Sequence, residues 1–250
     1  MAVAVEVNEL TRRFGSFTAV DKISLSVDEG EIFGFLGANG AGKTTAIRML
    51  TGLLLPTSGS GRVAGYDVLT QSESIKKTIG YMSQKFSLYP DLTGLQNMEF
   101  YAAAYGLSRK RTKERIAELS AYLSLSEFID RLSGPLPLGW RQRLALAVSL
   151  LHEPRILFLD EPTSGVDPVF RRRFWSLLYE LADRKVTIFV TTHYMDEAEF
   201  CGRLSIMHRG KIVAKGHPLD LIREYHVKSL EEMFIQLISQ REQELRDAGH

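Results

Sequence analysis

The stretch Gly37-Ala38-Asn39-Gly40-Ala41-Gly42-Lys43-Thr44 follows the apolar run Ile32–Leu36 and precedes a segment of helical composition. It fits the pattern G-x-x-x-x-G-K-[ST] without a gap, and a position between a buried strand and a helix is the context that this pattern requires. Glycines let the main chain curl so that successive N–H groups point inward, and the start of the helix adds its positive dipole end. The stretch therefore predicts a loop that binds phosphate groups.

Two side chains of this loop are suited to nucleotide chemistry. The Lys43 ammonium is a compact positive charge for the outer phosphates, and the Thr44 hydroxyl is a natural ligand for Mg²⁺, which prefers oxygen ligands and substrate phosphates. A glycine-rich turn without a ligand is the alternative. It is disfavoured because strand, spacing, lysine and threonine all agree with phosphate binding.

A pair of acidic residues follows a second apolar run, at 156–159. Asp160, at the end of a buried strand beside a phosphate loop, is placed to hold Mg²⁺ or its waters. Glu161 is placed to polarise a water molecule aimed at the terminal phosphate. Taken alone, two acids before Pro162 would indicate only the end of a strand. Together with the phosphate loop they indicate a functional site.

Runs typical of strands alternate with helical stretches along the whole chain, which predicts a largely parallel sheet covered by helices. Strands are predicted at 3–7, 23–27, Ile32–Leu36, Ile79–Met82, 156–159, 186–191 and 204–208, with turns at 28–30 and 208–211. Helices are predicted at 43–53, 95–105, 113–123, 141–151, 170–183, 219–225 and 230–240. The three helices between Gln84 and the strand at 156 predict a helical insertion.

Composition limits the classes of partner. The 31 basic and 30 acidic residues leave a net charge of about +1, so nucleic acid is not expected as a partner, since proteins that grip phosphate backbones usually carry a basic excess. The single cysteine, Cys201, fits a reducing cytoplasm. The sequence has no window of eighteen apolar residues, so we expect any membrane pore to belong to another chain.

These motifs, in this order, resemble the nucleotide-binding subunits of ATP-binding-cassette (ABC) transporters, and the resemblance covers nearly the whole chain. It implies that ATP and Mg²⁺ are bound. The resemblance implies that Phe14 is the aromatic residue that stacks on adenine. It also implies that the nucleotide is contacted by the Walker A residues, which are Gly37, Ala38, Asn39, Gly40, Ala41, Gly42, Lys43, Thr44 and Thr45. The metal-binding residues that the resemblance implies are Thr44, Gln84 and Asp160.

The resemblance also implies catalytic roles. Glu161 is similar to the family's catalytic base, His193 to the switch histidine that contacts the γ-phosphate, and Gln84 to the glutamine that touches Mg²⁺ and the attacking water. Lys43 completes this set. Asp167, in Ser164-Gly165-Val166-Asp167, is similar to the D-loop residue that crosses to a partner cassette.

The fold implied by the resemblance is α/β, with a P-loop NTPase core of mainly parallel strands, an N-terminal antiparallel β subdomain and an inserted α-helical subdomain at about 86–151. Residues 1–240 would form one ABC ATPase domain, and 241–250 a short charged tail. The resemblance implies a dimer of like or paired cassettes and an integral membrane permease, contacted by residues 86–105. The chain is therefore expected as a peripheral protein on the cytoplasmic face of the plasma (inner) membrane.

The family's signature, usually Leu-Ser-Gly-Gly, is altered here. Counting back from Asp160 places it at residues 136–143, where Pro137 replaces the serine, Leu138 replaces the first glycine and Gly139 remains. In the family, the serine hydroxyl reaches the γ-phosphate bound on the other subunit. That contact is missing here, and the amides of Leu138 and Gly139 with the helix N-terminus remain. The other motifs resemble those of multidrug exporters.

Two other functional classes stay open. One is a soluble cassette ATPase not coupled to transport, although this chain carries neither a second cassette nor a long coiled-coil insertion. The other is a regulatory subunit that binds ATP without hydrolysing it, which the altered pair Pro137-Leu138 keeps possible. The transported substrate contacts another subunit, so this chain does not specify it.

Overall fold

The computed structural model describes residues 2–247, and within them the side chains of all but residues 244–246. The strands are β1 Val3–Phe14, β2 Phe17–Asp28, β3 Ile32–Leu36, β4 Ser58–Val63, β5 Tyr66–Asp67, β6 Ile79–Met82, β7 Ile156–Asp160, β8 Thr187–Thr192, β9 Arg203–His208 and β10 Lys211–Gly216. The helices are α1 Lys43–Leu50, α2 Ser72–Thr78, α3 Gly94–Ala104, α4 Arg109–Tyr122, α5 Leu138–Leu150, α6 Pro168–Asp183, α7 Met195–Ala198, α8 Pro218–Glu224 and α9 Leu230–Asp247.

The central sheet has the strand order β10-β9-β3-β8-β7-β6. Its strands are parallel from β9 to β6, and β10 joins β9 as an antiparallel edge strand. Every residue of β3, β7 and β8 is buried, because both faces of the sheet are covered. This arrangement explains the continuous apolar runs, since alternation is expected only where one face meets water.

A second, antiparallel sheet covers one face of the central sheet. Its strand order is β2-β1-β4-β5, and its buried side chains pack with α1 and the phenylalanines of β3, β7 and β8. The rings of Phe33 and Phe158 lie at 5.3 Å from that of Phe189, so the sheet interior is aromatic. This sheet is the N-terminal β subdomain that the resemblance implied.

Helices cover the other face and one edge. α3, α4 and α5 form the insertion between β6 and β7, and their apolar side chains share one core with α6 and the central sheet. α8 and α9 pack against β9 and β10 in a separate apolar cluster around Leu221, Met233 and Leu237. Within residues 2–247, no helix has both the length and the apolar character needed to cross a membrane.

The element boundaries differ from the predictions in a few places. α4 begins at Arg109 and α5 at Leu138, earlier than predicted, and β1 and β2 are longer. The predicted final helix stopped at residue 240, whereas α9 continues to Asp247. Glu242 holds that part of the helix on the β9–β10 turn, with Oε1 at 2.7 Å from an Arg209 nitrogen and 3.4 Å from His208 Nε2. Residues 248–250 of the predicted tail, and Met1 of the predicted domain, lie outside the described residues.

Candidate nucleotide-binding site

The predicted phosphate loop leaves the carboxyl end of β3 and enters α1 at Lys43. Gly42 has a φ of +109°, and a Cβ there would lie 2.5 Å from the carbonyl oxygen of Ala19. A Cβ at Gly37 would lie 2.5 Å from the carbonyl oxygen of Met207. These two positions therefore require glycine, one for its backbone conformation and both for close approach of neighbouring main chain.

A cavity of about 410 Å³ opens beside this loop. The loop residues that line it are Asn39, Gly40, Gly42, Lys43, Thr44 and Thr45. Gln84 and Glu161 line the same cavity from β6 and β7. These strands end beside β3 because β6, β7, β8 and β3 are neighbours in the sheet, and ligand sites of parallel sheets lie at the carboxyl ends of strands.

Lys43 lies inside the curve of the loop and is 4% exposed. Its Nζ donates to the carbonyl oxygen of Gly37 at 2.7 Å and to that of Ala38 at 3.2 Å. Glu161 Oε1 lies 3.1 Å from the same nitrogen. The ammonium group thus has two hydrogen-bond acceptors and an opposite charge, the kind of compensation that a buried charge requires.

Asp160 ends β7 and is 1% exposed. Its Oδ1 accepts hydrogen bonds from Thr191 Oγ1 at 2.8 Å and from Thr44 Oγ1 at 3.2 Å. Burial raises the pKa of this carboxyl group, and the two threonine hydroxyls oppose the rise. The hydroxyl of Thr44 and the carboxylate of Asp160 are both oxygen ligands of the kind that Mg²⁺ prefers, so the pair fits a magnesium–nucleotide complex.

Glu161 has a positive φ of 49°, which is uncommon for a residue with a side chain and turns its carboxylate towards the loop. Besides Lys43, it contacts two of the predicted catalytic residues. Gln84 Nε2 donates to Oε2 at 3.1 Å, and His193 Nδ1 lies 3.1 Å from the same oxygen. The structure therefore brings Lys43, Gln84, Glu161 and His193 together around one carboxylate.

Phe14, the predicted adenine contact, does not line the phosphate cavity. It ends β1 next to the β1–β2 turn, is 47% exposed, and has the guanidinium of Arg12 at 4.6 Å from its ring centroid. Phe17, at the start of β2, lines the phosphate cavity instead and is 65% exposed. Because both rings lie on the same hairpin, the prediction of Phe14 as the adenine contact stays a prediction, with Phe17 as a neighbour that the sequence did not single out.

The altered signature and the D-loop lie outside the lining of this cavity and contact each other. Leu138 Cδ2 would be 3.4 Å from a Cβ placed on Gly165, and Gly139 packs directly beneath the ring of Phe170. Asp167 caps α6 by accepting from Val169 N at 3.0 Å and Phe170 N at 3.1 Å. The structure therefore places none of Pro137, Leu138, Gly139 and Asp167 in the lining of this cavity.

Thr191 is a site residue that sequence reasoning missed. Its hydroxyl accepts from the main-chain N–H of Glu161 at 2.9 Å while it donates to Asp160. Gln142 is another, because its Nε2 donates to the carbonyl oxygen of Pro162 at 2.9 Å and so ties α5 to the segment after Glu161. A polar residue inside an apolar run, such as Thr191 in β8, was the available signal.

Together, the fold and the phosphate loop define a P-loop nucleotide-binding domain. A sequence model of the family described as "ABC transporter" matches residues 20–164, more than half of the chain. The chain belongs to this family, which confirms the resemblance and the α/β fold class.

Curated relatives and solved structures agree with this assignment. The "Probable multidrug ABC transporter ATP-binding protein YbhF" of Escherichia coli (strain K12) is 48% identical over 239 residues, which are 94% of this chain and 41% of YbhF. The "Linearmycin resistance ATP-binding protein LnrL" of Bacillus subtilis (strain 168) is 37% identical over 222 residues, 87% of this chain and 70% of LnrL. The chain thus spans about two fifths of the length of YbhF.

Two solved structures show the same fold. One, titled "Structure of ATP binding subunit of ABC transporter", has a TM-score of 0.84 at 28% identity and covers 94% of this chain and 99% of its own. The other is a "Dimeric structure of a post-hydrolysis state of the ATP-binding cassette MJ0796 bound to ADP and Pi". It has a TM-score of 0.77 at 26% identity and covers 85% of this chain and 98% of its own.

Proposed function

We propose that this chain binds ATP with Mg²⁺, hydrolyses it as a dimer, and powers export through a separate membrane-spanning subunit. The observation that carries the proposal is the convergence of Lys43, Gln84 and His193 on the carboxylate of Glu161 beside the phosphate loop. The names of relatives, which refer to multidrug transport and drug resistance, support the export role. Location at the cytoplasmic face of the membrane is part of the same proposal.

The geometry suggests what each side chain does during hydrolysis. The main-chain amides of the loop and the Lys43 ammonium bind the β- and γ-phosphates, so Lys43 exchanges the carbonyl oxygens of Gly37 and Ala38 for phosphate oxygens. Thr44, Gln84 and Asp160 would hold Mg²⁺, which would supply positive charge for the phosphate oxygens. Phosphoryl transfer requires mainly such positioning and charge stabilisation.

Glu161 then orients the attacking water and accepts its proton, because its carboxylate faces the cavity at the end of β7. Release of Lys43 to the phosphates frees Oε1 for this task. His193 keeps its place through Nδ1, 3.1 Å from Glu161 Oε2, and binds the γ-phosphate. The trans roles of Pro137, Leu138, Gly139 and Asp167 require a second cassette, which fits their position outside the lining of the cavity of their own chain.

ATP turnover and nucleotide retention test the proposal. In the purified chain, we expect Glu161→Gln to lower turnover at least a hundredfold, as is typical for removal of a general base, while nucleotide retention persists. Lys43→Ala should weaken retention of magnesium nucleotide about tenfold to a hundredfold, the equivalent of a charge-assisted hydrogen bond worth about 1.5–3 kcal/mol. Equal turnover in the native chain and Glu161→Gln would contradict the catalytic claim.

The altered signature favours one second candidate, a regulatory cassette that binds ATP without turning it over. Pro137 at the N-cap of α5 makes no side-chain capping hydrogen bond and has no N–H to offer a phosphate. A chain of this kind would retain nucleotide in a Lys43-dependent manner but would show no turnover above that of Glu161→Gln. The same pair of measurements therefore separates the two functions.

A further inference from the structure

A buried carboxylate lies behind the site and has no part in the mechanism above. Glu197, on the short helix α7, is 0% exposed. Thr163 Oγ1 donates to its Oε1, and Thr192 Oγ1 donates to its Oε2 at 2.7 Å. Burial of a carboxylate is strongly unfavourable unless hydrogen bonds and an opposite charge compensate it. This chain retains the carboxylate and builds a set of partners around it.

The two threonines adjoin the segments that carry catalytic side chains, Thr163 after Glu161 and Thr192, at the end of β8, before His193. Thr163 follows Glu161 by two residues, and its carbonyl oxygen accepts from Val166 N at 3.1 Å in the D-loop. Thr192 directly precedes His193, and its hydroxyl also accepts from the main-chain N–H of Tyr194 at 3.0 Å. One carboxylate thus joins the loop of the proposed base to the loop of the switch histidine.

Arg171 supplies the opposite charge from the first turns of α6. Its Nε lies 3.4 Å from Glu197 Oε1, as an ion pair rather than a hydrogen bond, and a terminal nitrogen donates to Asp196 at 3.2 Å. The same guanidinium lies 4.3 Å from the ring centroid of Tyr194, whose ring lies 4.1 Å from that of His193. These contacts therefore connect α6, the helix that follows the D-loop, to the ring of His193.

From these contacts we infer that Glu197 is a positioning residue, which fixes Glu161 and His193 relative to each other by holding Thr163 and Thr192 without touching the nucleotide. The inference rests on the proposed ATPase function. Displacement of catalytic groups by about 1 Å can lower a rate a hundredfold, so a shared anchor for the two loops has a direct kinetic consequence.

The chemistry of the anchor requires a carboxylate and not an amide. Both threonine hydroxyls donate to Glu197, so the residue needs two acceptor atoms, and Arg171 needs a negative charge. Glutamine at position 197 has the same shape but replaces one acceptor by a donor and leaves Arg171 without its buried partner. Glu199, two residues further along, is exposed and offers a matched site for the same change.

The test compares Glu197→Gln, Thr192→Val and their combination with the native chain in steady-state ATP hydrolysis. We expect each single change to lower kcat about tenfold to a hundredfold with KM changed less than threefold. The double variant should be no slower than the slower single variant, because both changes remove the same anchor. Thr192→Ser, which keeps the hydroxyl, and Glu199→Gln should both retain kcat within twofold of the native value.

Several outcomes would overturn the inference. One is native kcat in Glu197→Gln and Thr192→Val. Another is a loss that disappears once rates are normalised to folded protein, measured by thermal unfolding, since that would show a structural role alone. Failure of the proposed ATPase function would give a different result, because the native chain and Glu161→Gln would then hydrolyse ATP equally. Thr192→Val keeps the test usable if Glu197→Gln does not fold.

Discussion

Thr191 lies on β8 opposite Asp160, the last residue of β7, and its hydroxyl group bonds both to Asp160 and to Glu161, which follows it. It accepts from the main-chain N–H of Glu161 and donates to the carboxylate of Asp160. The residue is 0% exposed, so no water replaces a lost partner. The backbone of Glu161, strained at its positive φ, is therefore held by a side chain from the neighbouring strand.

Replacement of this hydroxyl isolates its contribution. Thr191→Val keeps the shape of the side chain but leaves the N–H of Glu161 buried without a partner. We expect the free energy of unfolding to fall by about 1–3 kcal/mol, the usual effect of an unsatisfied buried donor. Urea unfolding measures it. Thr191→Ser keeps the hydroxyl and should stay closer to the native value, and equal losses in the two variants would argue against the hydrogen bond as the cause.

For individual residues, the sequence predicts the role of a side chain where the residue belongs to a local sequence pattern. The glycines and Lys43 of the phosphate loop follow from spacing alone, and Asp160 and Glu161 from the strand before them. The hydrogen-bond partners of these side chains do not follow from local sequence, because they depend on the order of the strands in the sheet. Thr191 is 31 residues from Asp160 in the chain and reaches it only because β7 and β8 are neighbours.

Secondary-structure elements were predictable where burial is uniform. β3 and β6 have the predicted bounds because each is a short, largely apolar and largely buried run. β4, with the sequence Ser-Gly-Ser-Gly-Arg-Val, was not predicted, since small residues of this kind normally indicate a turn. It is a strand because it pairs with β1, and a Cβ at Gly59 would lie 2.4 Å from the carbonyl oxygen of Glu9.

α3 presents the surface that we propose for the membrane-spanning subunit. A capping box at Thr93 and Gln96 fixes the start of this helix. Phe100 on α3 and Tyr89 before it are 46% and 45% exposed, with ring centroids 4.8 Å apart. Phe86, also predicted in this surface, is only 9% exposed and packs in the core instead. Among the described residues, the large apolar side chains that this surface exposes are therefore Tyr89 and Phe100.

A charge on this pair should prevent docking. We expect Phe100→Glu to abolish co-purification with the membrane-spanning subunit co-expressed with this chain, because a carboxylate in an apolar contact must be desolvated without a partner. Ile235→Glu, on α9 and 59% exposed, is the matched control and should leave co-purification unchanged. Persistent binding of Phe100→Glu would place the contact elsewhere.

For the molecule as a whole, the order of the strands decides the site. β3, β8, β7 and β6 end side by side, so segments far apart in the chain meet at one edge of the sheet. The alternation of strands and helices predicted this class of fold, whereas the exact sheet order came only with the structure. That residues 1–240 form one domain stays a prediction, as does the pairing of two cassettes.

The altered signature offers a test of that pairing. Pro137 precedes α5 without a capping side chain, and in the proposed dimer this helix start faces the γ-phosphate bound by the partner. Pro137→Ser adds both an N–H and a hydroxyl at this point, whereas Pro137→Ala adds the N–H alone. Comparison of the two variants therefore isolates the hydroxyl that the family's signature normally provides.

We expect Pro137→Ser to promote the ATP-bound dimer. In a Glu161→Gln background, which keeps ATP intact, the serine variant should dimerise at a protein concentration at least about a hundredfold lower than the alanine variant, because a dimer of two such chains contains two hydrogen bonds to phosphate, each contributing about 1.5–3 kcal/mol. Sedimentation with and without magnesium ATP measures this. Serine also caps α5 in the monomer, so the effect must depend on ATP. Identical dimerisation of the two variants would mean that this helix start does not face the partner's nucleotide.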